Sequence, residues 1–218
     1  MGKSVAIIGD GEFPRGEYPL YLIASADIVI CCDGAFETFL QKKDDLFGGR
    51  MPDAVVGDMD SLSEELQEKY SGIVKRISEQ DDNDQTKAVL YVAETYPEVQ
   101  EIHILGAGGK REDHTIGNLS LLMEYARDAR LSSLQIDMVS DYTTSFAVTD
   151  TCSLAVGEGR EVSLFSPDNS LVLRSHGLEY PTDDVVWDNW WKATLNRAQT
   201  DVIGLEFSHP SLLLVVLS

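Results

Sequence analysis

Asp58 and Asp60 stand one residue apart in Val55-Val56-Gly57-Asp58-Met59-Asp60-Ser61, where an apolar β-branched run meets a glycine and then carboxylates. Two hard oxygen donors at the end of a buried strand suit a divalent cation, the usual way to bring Mg²⁺ to a polyphosphate. A solvated turn with Ser61 as a helix N-cap is the plainer reading of the same residues. Ser78-Glu79-Gln80-Asp81-Asp82-Asn83-Asp84-Gln85-Thr86-Lys87 is the densest run of carboxylates, and it reads as a solvated face or a helix N-terminus. Gly106-Ala107-Gly108-Gly109-Lys110-Arg111 joins glycines, whose amides can approach an oxyanion, to adjacent cations and a following helix. It lacks Gly-Lys-Ser/Thr and is no Walker A loop. His114 just beyond it is read as a helix-capping residue or as a base. Gly9-Asp10-Gly11 and Asp33-Gly34-Ala35 repeat the pattern of a short loop with a carboxylate and glycine.

These loops need strands to carry them. Val5–Ile8, Ile28–Cys32, Asp53–Val56, Ile73–Ile77 and Ile102–Leu105 are short apolar runs, each ending in one of the loops above. Helical segments are expected at Ala35–Gln41, after Ser61 with Glu64 completing a capping box, at Ala88–Tyr96 and at Thr115–Ala129. Strand, loop and helix in repetition predict a parallel sheet wound with helices, with every chemistry-bearing loop on its carboxyl edge. From Ser133 helical periodicity gives way to short alternating runs: Gln135–Val139, Ser145–Val148, Glu161–Phe165, Leu171–Leu173, Val202–Phe207 and Leu212–Leu217. The fold class is therefore α/β, an N-terminal parallel-sheet domain wound with helices over 1–132 followed by a C-terminal all-β domain, a sandwich or a barrel, over 133–218. Trp187, Trp190 and Trp191 fall together and read as core, as an oligomer interface, or as a platform for an aromatic cationic ligand.

With 17 Lys+Arg against 37 Asp+Glu, the formal charge of −20 argues against nucleic acid as a partner. An acidic protein acting on an anionic substrate needs cations at its site, which favours metal ions. Cys31, Cys32 and Cys152 have neither zinc-ligand spacing nor an even count for disulfides, which fits a reducing cytoplasm. No apolar run is long enough for a membrane span, and the N-terminus lacks a signal-peptide pattern, so a soluble cytoplasmic protein is expected.

Gly57-Asp58-Met59-Asp60-Ser61, then Asn83-Asp84-Gln85-Thr86-Lys87, then Gly109-Lys110-Arg111-Glu112-Asp113-His114 with Asn118 downstream, resemble the thiamin pyrophosphokinase family in order and spacing. Asp33-Gly34-Ala35 and Gly11-Glu12-Phe13-Pro14 match as well, so the resemblance spans nearly the whole chain. It implies transfer of pyrophosphate from ATP to the hydroxyethyl oxygen of thiamin, in a homodimer that holds thiamin between one subunit's nucleotide domain and the other's sandwich. By motif match, Asp33, Asp58, Asp60 and Asp84 would hold Mg²⁺, and Asp58, Asp60, Asp84 and Asp113 would be catalytic. Gly11, Lys87, Gly109, Arg111 and Asn118 would bind the nucleotide. A proton acceptor for the hydroxyl is open between Asp84 and Asp113. Tyr180, Thr194 and Asn196 would meet thiamin, although Leu195 replaces a hydroxyl in the family's Ser/Thr-Ser-Asn turn. The rival readings are a pyrophosphokinase of the same fold for another hydroxyalkyl heterocycle such as a pterin, and a non-catalytic nucleotide or thiamin-phosphate sensor.

Overall fold

A computed structural model describes residues 2–218. Its contacts divide the chain into two units, one built from the residues up to Leu121 with Ser133–Asp141, the other from Leu122–Ser132 with Tyr142–Ser218.

In chain order the α/β elements are β1 (Lys3–Ile8), α1 (Glu17–Ser25), β2 (Ile28–Cys32), α2 (Asp33–Phe47), β3 (Ala54–Gly57), α3 (Glu64–Lys69), β4 (Val74–Arg76), α4 (Asp84–Thr95), β5 (Val99–Leu105), α5 (Glu112–Arg127) and β6 (Gln135–Val139). The strands lie in the order β6-β5-β1-β2-β3-β4, and every pairing among them is parallel. Ile7, Ile8, Val29, Ile30, Val55 and Val56 are fully buried, as expected of parallel strands covered on both faces. α2 packs on β2 and β3, and α4 reaches β1, β2, β3 and β5. Phe36, Phe39 and Met59 share a core with Ile8, Val29, Cys31 and Val55. Between β1 and β5 the strand order changes direction, the kind of switch point where open α/β sheets take ligands.

Local chemistry moved several expected boundaries. α2 and α4 begin at Asp33 and Asp84, so both carboxylates sit in a first helical turn, where negative charge meets the positive end of the helix. Asn83 caps α4, its side chain accepting the Thr86 amide at 3.0 Å, which resolves the acidic run as a helix start. The cap of α3 is Ser63 rather than Ser61: Ser63 Oγ accepts the Leu66 amide at 3.4 Å. β6 differs most. Expected in the all-β part, it pairs in parallel with β5, and His103 Nδ1 lies 2.8 Å from Asp137 Oδ1 across that ladder. An alternating pattern is the same for an outer parallel strand with one wetter face and for an antiparallel one, so partner choice was not encoded in it.

The second unit contains β7 (Thr144–Val148), β8 (Cys152–Ala155), β9 (Glu161–Phe165), β10 (Leu173–His176), β11 (Ala193–Arg197), β12 (Val202–Phe207) and β13 (Leu213–Leu217). Antiparallel pairs link β11-β9-β13-β7 and, separately, β10-β12-β8. Val162, Leu164, Leu213 and Val215 from the first set share one core with Leu173, Ile203 and Leu205 from the second, which is the packing of a sandwich. Trp187 is buried in that core. Trp190 packs on Phe165 with ring centroids 5.0 Å apart and stays partly exposed, like Trp191. β8 and β11 had no sequence signal: β11 contains a register shift between Ala193 and Asn196, with Leu195 at φ +59°, so a turn-like string sits inside a strand.

Candidate active site

A cleft of about 380 Å³ opens at the carboxyl ends of the parallel strands. Gly9, Asp10 and Gly11 follow β1; Asp33 follows β2; Ser61 follows β3; Asn83 and Asp84 follow β4; and Gly108, Lys110 and Arg111 follow β5 on the way to α5.

Asp33 is almost fully buried, and its carboxylate accepts the amides of Gly34 at 2.5 Å and Ser61 at 3.4 Å. It faces Asp84 across Gly57, where a Cβ would lie 3.0 Å from Asp33 Cγ and 3.2 Å from Asp84 Oδ1. Gly57 therefore makes room for the two carboxylates to approach. Burial, and then the negative charge of Asp33, push the Asp84 carboxyl up to about 6. Asp58 lies on the opposite course: Oδ1 accepts the Asp60 amide at 3.1 Å, Oδ2 accepts from Gln80 at 3.1 Å, and its carboxyl is held below the usual range by these bonds and by Lys87. Between Asp58 and Asp60, the buried Met59 adopts φ +69°, a strained conformation for a residue with a side chain. Asp60 itself is exposed.

On the other wall, the loops after β1 and β5 are laced together. The amides of Gly11 and Glu12 donate to the carbonyls of Gly106 at 2.5 Å and Gly108 at 2.7 Å, and a Cβ on Gly11 would lie 2.4 Å from the Gly108 oxygen. The Gly11 amide, read as a phosphate donor, is thus committed to the neighbouring loop. Gly109 has φ +86°, and its amide donates to Thr115 Oγ1 at 3.3 Å. Lys110 pairs with Asp10 at 2.9 Å. Arg111 makes a two-pronged pair with Asp113, Nε to Oδ1 at 3.1 Å and Nη2 to Oδ2 at 2.5 Å, which holds the Asp113 carboxyl low. Asn118 uses both ends of its amide, donating to the Ala107 carbonyl at 2.7 Å and accepting from Asn83 at 2.9 Å. It fixes α5 against the loop after β5 and the start of α4.

Lys87, like Asp58, Asp60, Gly109 and Asp113, does not line the cleft. Its ammonium is buried and lies 3.5 Å from both Asp58 and Asp84. Among the described residues no group of three or more His, Cys, Asp or Glu is arranged to hold a metal ion by itself, so Asp33, Asp58, Asp60 and Asp84 do not close into a ready cage. The donors still suit Mg²⁺, which prefers oxygen, keeps waters, and is commonly held by one or two carboxylates plus substrate phosphates.

In the second unit, Asn196 is buried and brackets Tyr180, accepting its amide at 3.1 Å and donating to its carbonyl at 2.7 Å. Its amide is thereby engaged with backbone, while the Tyr180 ring is largely exposed. Thr194 is half-buried beside Leu195, which is 87% exposed. Asp10, named in the sequence only as part of a glycine-bearing loop and given no role, lines the cleft, as do Gln85 and Thr115. The signal for Asp10 was there: Gly9-Asp10-Gly11 leaves a buried strand just as Asp33-Gly34 does.

Two family models match the chain in order: one described as thiamin pyrophosphokinase, catalytic domain, over residues 20–133, and one described as thiamin pyrophosphokinase, substrate-binding domain, over residues 144–213. The chain belongs to the thiamin pyrophosphokinase family. Rice (Oryza sativa subsp. japonica) thiamine pyrophosphokinase 1 is 36% identical over 110 residues, covering 47% of this chain and 39% of that protein. The match thus spans well under half the length of that curated relative. Among solved structures, thiamin pyrophosphokinase from Candida albicans superposes with TM-score 0.79 at 18% identity, covering 99% of this chain and 89% of that one. Thiamine pyrophosphokinase from Bacillus subtilis gives 0.76 at 19% identity, with 99% of each chain covered. At such identities these two speak for a shared fold. No helix among the described residues is long and apolar enough to cross a membrane.

Proposed function

We propose that the protein transfers the pyrophosphoryl group of ATP to the hydroxyethyl oxygen of thiamin, giving thiamin diphosphate and AMP. The observation that carries this reading is the cleft at the strand-order switch, where carboxylates from separate strands face cations of a glycine loop, in a chain matched along both halves by one family. The proposed setting is a cytoplasmic homodimer in which the parallel-sheet unit, β6 included, takes ATP, and the antiparallel unit of the other subunit, with Tyr180, Thr194 and Asn196, takes thiamin.

In this mechanism Asp33, Asp58, Asp60 and Asp84 are the candidate oxygen donors, one or two of which would hold Mg²⁺ together with the substrate phosphates, and the ion would neutralise charge on the polyphosphate. Lys110 and Arg111 leave Asp10 and Asp113 to meet the phosphate oxygens; both pairs are solvent-exposed, so exchanging partners is inexpensive. The positive end of α5 adds to the same field. Because the Gly11 and Glu12 amides are already engaged, side chains and the helix end carry the electrostatic stabilisation as AMP leaves. Asp84 lines the cleft and Asp113 does not, and without metal its carboxyl is raised to about 6, so Asp84 is the candidate acceptor for the hydroxyl proton wherever it is not itself a Mg²⁺ ligand. Gly109 and Asn118 shape the site by holding the loop after β5 and α5 in place.

Product analysis with ATP, Mg²⁺ and thiamin tests the reading: equal amounts of AMP and thiamin diphosphate are expected. Turnover of a hydroxymethyl pterin with none of thiamin would move the substrate to another heterocycle. Ligand binding without AMP release would make the protein a sensor.

A further inference from the structure

Lys87 is a buried cation that does not line the cleft. It belongs to the first turns of α4, where a positive side chain runs against the helix dipole. Its ammonium is also stripped of water, a state that survives only beside opposite charge. Both distances to carboxylate oxygen are 3.5 Å, long for a charge-assisted hydrogen bond, so the ammonium is shared between Asp58 and Asp84 rather than bonded to one. Asp33 faces Asp84 across Gly57, so a third carboxylate lies beside the two that the ammonium joins. A divalent ion taken up by these side chains would meet Lys87 already in place.

We propose that Lys87 is the resident counter-ion of this acid group: it positions Asp58 and Asp84 in the metal-free protein and competes with the incoming divalent cation for them. Lys87 is thus a positioning residue acting on carboxylates rather than a phosphate ligand. The competition half rests on the Mg²⁺ reading above; the counter-ion half stands without it.

Thermal unfolding of the full chain in excess chelator, with no substrate present, tests the counter-ion half. Lys87→Met is expected to melt well below the parent, and Lys87→Met with Asp84→Asn is expected to recover most of the loss, since it removes one charge of each sign. A double variant no more stable than Lys87→Met, or one that fails to fold, would overturn the proposal by showing that the lysine matters for packing rather than charge. Should Lys87→Met alone not fold, folding of the double variant is itself the expected result, and Lys87→Gln replaces it in the metal titration. Following melting temperature against Mg²⁺ concentration, the midpoint is expected to fall about tenfold in the lysine variant, within the usual range for coupled sites. A midpoint unchanged or raised would overturn the competition. Absence of any Mg²⁺ response in parent and variant alike would instead count against the Mg²⁺ site, and the chelator experiment would still judge Lys87.

Discussion

Asp84 and Asp113 both occupy the first turn of a helix, yet their surroundings drive them apart. Burial and Asp33 raise the first, and Arg111 lowers the second. A folded carboxyl at about 6, against 3.8 ordinarily, takes up a proton that the unfolded chain does not between those values. Metal-free stability therefore falls as pH rises through that window and levels off above it. Asp84→Asn should remove the fall, so its melting temperature should gain on the parent from about pH 4 to about pH 6 and hold that gain to pH 8. A constant difference across pH would show that burial and Asp33 do not act on Asp84 in this way. For Asp58→Asn and Asp60→Asn, AMP release at ordinary Mg²⁺ should drop by at least about two orders of magnitude each, the scale of one lost electrostatic contact. Near-normal rates in both would remove them from the metal site. Leu195 offers a stability test: its side chain is exposed and its φ is +59°, so Leu195→Asn loses little packing and relieves about 1 kcal/mol of strain, read as a higher denaturant midpoint.

The pairing of loops after β1 and β5 is the feature on which the cleft's shape depends at the level of elements. Gly11→Ala would push a methyl group against the carbonyls of Gly106 and Gly108, at a cost of about 1–3 kcal/mol, and should weaken ATP binding with it. Gly117→Ala is the control. It lies in the exposed middle of α5 with nothing within 4 Å of its Cβ position, so it should stabilise by about 0.5–1 kcal/mol and leave ATP binding alone. Equal effects from the two glycines in chemical denaturation would mean that the loop-to-loop contact is slack. The five loops bearing these residues were readable because each ends a short apolar run, and an apolar strand leaves few places for a carboxylate except its exit. The bulge in β11 was not: Thr194-Leu195-Asn196 carries turn chemistry, and only pairing with β9 makes it a strand.

Over the whole molecule, a net charge of −20 on 218 residues sets carboxylates against one another well beyond the cleft. Self-repulsion of this kind is screened by salt, with a Debye length of about 10 Å at 0.1 M. Raising monovalent salt from about 0.02 to about 0.2 M should therefore raise the melting temperature, by about a few degrees, without divalent ions present. A flat or falling response would show that the acidic groups are already balanced locally, as Asp168 is by Ser170, Ser211 and His209.

Composition, periodicity and the order of the Asp- and Gly-bearing loops determined the α/β class, the later all-β part and the family resemblance, because burial enforces period and strand exits expose charge whatever the partners are. What only the tertiary structure decided concerns partners. β6 joined the parallel sheet, Gly11 turned its amide to Gly106, Asn118 and Asn196 turned theirs to neighbouring loops, Lys87 moved off the cleft wall to Asp58 and Asp84, and Asp10 entered the cleft. Each depends on which distant segment arrives alongside, and a polar side chain read from its own neighbourhood in the chain carries no record of that.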